Sequence, residues 1–149
     1  MESFFQFEAD FVESLRCIPM QVRMKLDTCG VKLKLAHWHQ FTQEERQRFV
    51  ALPCENPSEA DVYRTQLQQL VTHYTGKPAG ELSVDPHPPW HNSDQIPEMV
   101  QAQVEQVGAS LVLAQWRSLT PPQRFALIKL SRPSHENNNF EPALQEFGI

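Results

Sequence analysis

The sequence predicts a mainly α-helical protein that forms one small domain, residues 1–149, with at most a minor two-stranded β element. Two observations predict this fold class. Residues 18–52 align without a gap on residues 96–130, and helix-start and helix-stop residues recur at matching positions in both segments. We therefore expect an internal duplication, with two helix–short strand/turn–helix units related by a pseudo-twofold axis. Eleven aligned pairs are identical: Ile18/Ile96, Pro19/Pro97, Val22/Val100, Gly30/Gly108, Leu33/Leu111, Leu35/Leu113, Ala36/Ala114, Trp38/Trp116, Thr42/Thr120, Arg46/Arg124 and Leu52/Leu130.

Each copy is predicted to begin with a helix that follows a proline and ends at a glycine. Pro19 suits the first turn of a helix, because the N–H group that proline lacks would have no partner there. Gly30 suits the helix end, because glycine adopts the left-handed conformation without strain. Pro97 and Gly108 occupy the same positions in the second copy.

Alternating leucines follow this helix in both copies, within residues 31–38 and 109–116. Two structures fit the pattern: short strands paired across the pseudo-twofold axis, or extended segments that lead into a helical turn around Trp38 and Trp116. Because the tryptophans are repeated together with leucine and alanine, we expect both to lie in equivalent, largely buried places.

A second helix in each copy is indicated by a capping motif, Thr-x-x-Glu or Thr-x-x-Gln, and is predicted over 43–52 and 121–130. Arg46 and Arg124 lie four residues beyond the capping threonines. We expect their stems to cover apolar surface while the guanidinium groups reach loop carbonyls or a carboxylate of the other copy.

The two copies are joined by a predicted helix and a long loop. The helix is predicted over 58–75, with Ser58 as its cap and Gly76 as its stop. The proline-rich loop 77–95 is long for a compact domain, so it is either an ordered segment held by Trp90 or a functional loop.

Both chain ends carry aromatic residues. Phe5, Phe7, Ala9 and Phe11 alternate with polar residues, a period of two that fits a short strand, and we expect this segment to pack on the core. The other end is predicted to finish in a short helix that carries Leu144 and Phe147.

Composition and charge restrict the class of protein. The apolar fraction of 40% and the charged fraction of 21% are typical of a soluble globular protein. A net charge of −5 argues against non-specific nucleic-acid binding, and no apolar run approaches a membrane span. An odd number of widely spaced cysteines indicates reduced thiols in a cytoplasmic protein.

The cysteines permit two interpretations. Cys29 aligns with Val107 on an apolar helix stripe, which favours core packing without a metal or a disulfide. The alternative is a metal or iron–sulfur site, although the spacing matches no compact ligand motif. Its ligands would be Cys17, Cys29 and Cys54, with His37 or His39 as a fourth.

No catalytic motif is recognisable in the sequence. Glycine-rich phosphate loops, a GxSxG elbow and HExxH are missing, and no catalytic residues are predicted. An independent enzyme stays as a third alternative, but the chain is predicted not to be an enzyme.

Charge differs between the two copies. The first copy has Arg23, Lys25, Lys32 and Lys34 where the second has uncharged residues. This basic face is either merely solvated or meets an acidic partner. Our hypothesis for a partner-binding surface comprises Arg23, Lys25, Lys32, Lys34, the loop residues His87, Trp90 and His91, and the tail residues Arg132, His135, Glu136 and Asn137.

Four long stretches carry a family resemblance. They are FFQFEADFVESLRCIPMQVRMKLDTCGVKL, WHQFTQEERQRFVALPCE, SVDPHPPW and QRFALIKLSRPSHENNNFEPALQEFG. Through them the chain resembles the cyanobacterial nitrate reductase-associated protein family over essentially its whole length.

This resemblance implies a function. Such proteins are encoded near genes for nitrate reductase and molybdopterin synthesis and are thought necessary for active enzyme. It implies a cytoplasmic, non-catalytic accessory factor that binds an assimilatory molybdenum-dependent nitrate reductase, and it brings no catalytic residues. The alternative is a protein that carries a metal, an iron–sulfur cluster or molybdenum cofactor to that reductase.

Overall fold

Residues 4–8, 15–133 and 135–149 are described by the computed structural model, with His135 and Glu136 described by their backbone only. Within these ranges it contains eight α-helices, three short 3₁₀ helices and one antiparallel pair of two-residue strands. The predicted fold class, mainly α with a minor two-stranded sheet, is confirmed. None of the described helices combines the length and the apolar character that a membrane span requires.

Backbone contacts divide the chain into two compact units. The first contains Phe4 and Glu8–Asp85, and the second contains Phe5–Phe7 and Pro86–Ile149. The prediction of a single domain is not tested by this division and stays a prediction. The regular elements of the first unit are α1 (Met20–Cys29), β1 (Val31–Lys32), α2 (Leu35–Gln40), α3 (Gln43–Ala51), α4 (Pro57–Thr75) and β2 (Gly80–Glu81). Those of the second unit are α5 (Glu98–Gln106), α6 (Leu113–Ser118), α7 (Pro121–Leu130) and α8 (Phe140–Glu146).

Helix α1 begins after Pro19 and ends at Gly30, as predicted. Because proline has no side-chain acceptor, a distant residue caps the helix: Glu8 accepts a hydrogen bond from the Met20 N–H at 3.1 Å. Glu8 is only 1% exposed, and its carboxylate is stabilised at this position by the positive end of the helix dipole.

Strand β1 pairs with β2 inside the first unit, with Val31 opposite Glu81 and Lys32 opposite Gly80. The predicted alternative of strands paired across the two copies is therefore wrong. The physical reason is that a segment of the same unit is available as a partner, and the Leu82 N–H extends the pairing to the Gly30 carbonyl at 2.8 Å. The other alternative is confirmed, because helical turns surround both tryptophans.

The second halves of the two copies contain the same elements at the same positions. Helices α2 and α6, and the starts of α3 and α7, lie 78 residues apart, and a threonine caps each second helix. Trp38 and Trp116 are both 0% exposed, so their predicted burial is confirmed. The duplication itself and its pseudo-twofold axis stay predictions.

Arg46 and Arg124 bind backbone carbonyls as predicted, but most of these carbonyls belong to the short helices α2 and α6 and not to loops. In both copies the arginine Nε donates to the carbonyl of the repeated tryptophan. Arg124 is 7% exposed and binds more carbonyls than Arg46 does. The bonds are Arg46 to Trp38 (3.1 Å) and His39 (3.1 Å), and Arg124 to Trp116 (3.3 Å), Trp90 (2.7 Å) and Leu119 (2.7 Å).

Helix α4 starts one residue earlier than predicted. Its cap is Asn56, which accepts the Glu59 N–H at 2.8 Å, and Pro57 occupies the first helical position. Ser58 was therefore the wrong cap, because an Asn-Pro pair starts a helix more strongly than a serine one position later. Gly76 ends the helix in the left-handed conformation, as predicted.

The segment before α1 forms a 3₁₀ helix, Gln6–Glu8, where a strand was predicted. A strand needs a neighbouring strand for its N–H groups, whereas the Phe7 N–H donates to the Glu146 carboxylate at 3.1 Å. The Phe5 and Phe7 rings stack on each other and each meets the Phe147 ring edge-on. The predicted positions of Ala9 and Phe11 lie outside the described residues.

Loop 77–95 is ordered by two short elements, β2 and the 3₁₀ helix Pro89–His91. Trp90 packs edge-on against Phe125, with 5.0 Å between the ring centroids. The predicted short C-terminal helix is α8, and Leu144 on it is buried. The buried face of α8 lies with that of α7 in the second unit.

Replacing Gly30 by alanine should destabilise the protein more than the same change at Gly76. Both glycines have positive φ, but a Cβ at Gly30 would lie 2.8 Å from Val84 Cγ2 and 2.9 Å from the Leu82 carbonyl oxygen. A Cβ at Gly76 would meet nothing within 4 Å. We expect about 1 kcal/mol for Gly76→Ala and about 3 kcal/mol for Gly30→Ala in urea unfolding. Equal losses would contradict the close approach.

Replacing Arg124 by alanine should cost more than replacing Arg46. Arg124→Ala leaves three buried carbonyls without their donor, whereas the two carbonyls freed by Arg46→Ala lie nearer solvent. We expect about 3 kcal/mol for Arg124 and about 1 kcal/mol for Arg46, measured by urea unfolding followed by circular dichroism. A larger loss for Arg46→Ala would overturn this ranking.

Candidate functional site

The basic residues of the first copy divide into structural and exposed groups. Lys25 is half-buried on α1, and its ammonium group donates to the carbonyls of Val50 and Leu52 at 2.6 and 2.8 Å. These carbonyls end α3, where a cation is favoured by the helix dipole. Arg23 is half-buried on the same helix. Lys25 therefore connects α1 to the end of α3.

Lys32 and Lys34 are the exposed members of this basic set. Lys32 lies on β1, and Lys34 lies directly before α2. Two exposed apolar residues accompany them: Leu35, which is 46% exposed and follows Lys34, and Val84, which is 50% exposed and lies against Gly30, the residue before β1. We call Lys32, Lys34, Leu35 and Val84 the β1 surface.

The β1 surface combines the two properties of a docking site. Its lysines carry positive charge that can attract an acidic partner, and its apolar side chains can be desolvated when the partner binds. Two acidic residues lie next to its members: Glu81 on β2 opposite Val31, and exposed Asp85 directly after Val84. The two lysines therefore lie beside acidic residues, and the charge of the surface is mixed.

The predicted loop residues have different exposures. His87 and His91 are exposed, whereas Trp90 is 8% exposed. The Trp90 carbonyl accepts the Arg124 guanidinium, and its indole N–H finds no hydrogen-bond partner among the described residues. Trp90 therefore anchors the loop on the interior, and the histidines are the loop residues presented to solvent.

The predicted tail residues lie just past the end of α7. Arg132 is exposed, while Asn137 is half-buried and donates from Nδ2 to the Leu130 carbonyl at 2.9 Å. The Asn137 Oδ1 accepts the Gln103 amide at 3.1 Å. His135 and Glu136 belong to a 3₁₀ helix, His135–Asn139, and their side chains lie outside the described part. Asn137 thus holds the tail against the end of α7.

The structure brings together two cysteines that the sequence did not pair. The Cys54 thiol donates to the Lys25 carbonyl at 3.7 Å, and the Cys29 thiol donates to the next carbonyl of α1, that of Leu26, at 3.8 Å. The two thiols also interact with each other, and the Cys29 S–H can turn to the Cys54 sulfur once Cys54 is a thiolate. Both residues are buried in the core of the first unit, and Cys29 lies with Val22 and Leu26 as predicted. We call Cys29 and Cys54 the thiol pair.

The two thiols of the pair differ in acidity. The hydrogen bond with Cys54, together with burial, raises the pKa of Cys29 far above its usual range. The hydrogen bond from Cys29 lowers the pKa of Cys54, and the Lys25 ammonium lowers it further, while burial and Glu59 act in the opposite direction. Cys54 is therefore the thiol that ionises first.

The remaining predicted ligands do not join this pair. Cys17 is exposed, and all three cysteines are free thiols. Exposed His39 binds the Arg16 carbonyl at 2.8 Å, and half-buried His37 accepts the Lys34 N–H at 3.1 Å. Across the described ranges, no group of three or more His, Cys, Asp or Glu side chains is arranged to hold a metal ion. The sequence carried no signal for the pair, because its members come from separate elements.

Comparisons with known proteins identify one family. Residues 4–147 match the sequence model of the family described as conserved nitrate reductase-associated protein, Nitr_red_assoc. Searches of curated proteins and of solved structures find no match. The family match does not bear on a cyanobacterial origin. Because the match covers nearly the whole sequence, the chain belongs to the conserved nitrate reductase-associated protein family.

Proposed function

We propose that this protein is a non-catalytic accessory factor that an assimilatory molybdenum-dependent nitrate reductase needs for activity or maturation. It acts in the cytoplasm by binding the reductase directly. The observation that carries this proposal is the family match over residues 4–147, since that family is described by its association with nitrate reductase.

The use of buried charge supports a binding role over a catalytic one. Arg124, Glu8 and the Lys25 ammonium group all bind backbone groups that the helices leave without partners. Such contacts connect secondary-structure elements, and the charged groups that make them are bound to the backbone. A reaction would instead require acidic, basic or nucleophilic groups that converge on a substrate.

The β1 surface is the part of the first unit best suited to meet the reductase. Lys32 and Lys34 would steer an acidic partner surface towards it, and Leu35 would be desolvated at the centre of the contact. Arg23 and Lys25 support this surface from α1, with Lys25 engaged in the interior. Positive charge on the docking surface is compatible with the net charge of −5, because association depends on the local field.

The second unit contributes the exposed residues of its loop and tail. His87, His91 and Arg132 are presented to solvent, whereas Trp90 and Asn137 hold the segments that carry them. His135 and Glu136 complete the predicted tail surface. Among these residues Arg132 is the strongest candidate for an anchor, because arginine is enriched at binding hot spots.

The direct test is co-purification from a host grown on nitrate. The tagged full-length chain should retain nitrate reductase, and the purified reductase should then bind the purified chain in surface plasmon resonance. An unrelated tagged protein of similar net charge is the control for non-specific capture. Failure of the purified reductase to bind would contradict the proposal.

Charge reversal on the β1 surface should slow binding to the reductase. The double variant Lys32→Glu/Lys34→Glu is expected to reduce the association rate by about tenfold at low salt, and Arg132→Ala should mainly speed dissociation. A matched control with the same change in net charge is Arg64→Glu/Lys77→Glu, because both residues are exposed in the first unit and lie outside the β1 surface. Equal rates for the two double variants would locate the interface elsewhere.

A further inference from the structure

The thiol pair has an arrangement that core packing alone does not require. Cys29 is the last residue of α1, and Cys54 lies in the short loop between α3 and α4. Their thiols lie at the carbonyls of the adjacent α1 residues Lys25 and Leu26, and they interact electrostatically. Two buried thiols held near each other can form a disulfide when an oxidant accepts two electrons and the sulfurs reach bonding distance with a Cβ–S–S–Cβ dihedral angle of about 90°.

The loop that carries Cys54 gives a small reagent access to the pair. Cys54 is 7% exposed, while its neighbours Pro53, Glu55 and Asn56 are all exposed. These residues lie between two helices and outside any strand, so local opening of this loop would present the Cys54 sulfur. Cys29, at the end of α1 and 3% exposed, is the inner member.

The charged groups around the pair favour one order of reaction. Lys25 reaches the pair from α1, and Glu59 and the Tyr63 hydroxyl face it from α4. The Lys25 ammonium lies 5.8 Å from the centroid of the Tyr63 ring and donates to carbonyls at the end of α3. A cation beside a thiol stabilises the thiolate, which is the attacking form in disulfide exchange.

We propose that Cys29 and Cys54 form a reversible internal disulfide by exchange with a small-molecule disulfide of the glutathione class. The Cys54 thiolate attacks one sulfur of that disulfide, its S–S bond breaks, and one thiolate leaves and takes up a proton. Cys29 then gives its proton to solvent, and its sulfur attacks the Cys54 sulfur and displaces the second thiolate, which takes up a proton. In sum, two protein thiols and one small disulfide become one protein disulfide and two small thiols.

The disulfide would tie the end of α1 to the loop before α4. It would fix the position of α1 relative to α4 within the first unit. Cys29 is the last residue of α1, and Cys54 lies in the short loop that leads into α4. A crosslink of this kind stabilises chiefly by restricting the unfolded chain. This inference is independent of the proposed function, and its test requires no nitrate reductase.

The test uses the full chain with Cys17→Ser, because Cys17 is exposed and would react by itself. Folded protein is incubated with glutathione disulfide, the reaction is quenched with acid, and free thiols are alkylated. The mass of the intact protein is then measured by mass spectrometry. The expected product is monomeric, lighter by two hydrogens, resistant to alkylation and restored by dithiothreitol, with a Cys29–Cys54 link in the peptide map. Oxidation only after unfolding in urea would overturn the proposal.

Single variants test the order of the two steps. In Cys29→Val the reaction should stop at a glutathione adduct on Cys54, and valine is chosen because Val107 occupies the aligned position of the second copy. Cys29→Ala serves as a second variant if valine disturbs folding. Cys54→Ser should remove the reaction altogether. Faster modification of Cys29 than of Cys54 would contradict the assignment.

A charge variant distinguishes a reactive pair from a merely accessible one. Glu59 raises the pKa of Cys54, and in Glu59→Gln the side-chain oxygen that accepts the Glu55 N–H is retained. The pH at which the exchange rate rises should therefore move lower in Glu59→Gln than in the Cys17→Ser parent. An unchanged pH profile would mean that the charges around the pair do not govern its reaction, which would overturn the proposed order.

Discussion

The structure depends on an arginine that binds the carbonyls at the end of each short helix that contains a buried tryptophan, α2 and α6. A six-residue helix such as α2 or α6 leaves most of its last carbonyls without an internal partner. Arg46 and Arg124, from the following helix, supply the missing donors. Each arginine lies on a helix whose start is fixed by a threonine cap. The cap, the helical turn and the burial of the tryptophan therefore form one cooperative arrangement. The same local solution operates in both units.

Function is best sought where the two copies differ. The carbonyl-binding arginines and buried tryptophans occur in both, so they explain the fold. Only the first copy has a lysine at position 25, where the second has Gln103, and only it has a paired strand after the first helix. These differences create two features of the first unit: the charged β1 surface outside and the thiol pair, with its neighbouring ammonium, inside.

Local signals in the sequence were sufficient for the helices and for the role of the arginines. Proline, glycine and threonine mark helix ends through their own backbone chemistry, which neighbours along the chain do not change. Contacts between distant segments were not predictable in this way. The partner of β1, the Glu8 cap of α1 and the contact between Cys29 and Cys54 all depend on tertiary placement. Likewise the sequence places Trp90 on a partner-binding surface, whereas its side chain is buried, and its direct role in binding stays a prediction.

Hydrogen–deuterium exchange of the protein, alone and with purified nitrate reductase, tests the central claim most directly. Binding through the β1 surface should slow amide exchange in residues 31–35 and 82–85, because docking removes these segments from solvent. The exposed start of α4, around Asp61 and Arg64, is outside this surface and should exchange at the same rate in both samples. Slowed exchange confined to other segments, or none when the reductase is in excess, would contradict the account.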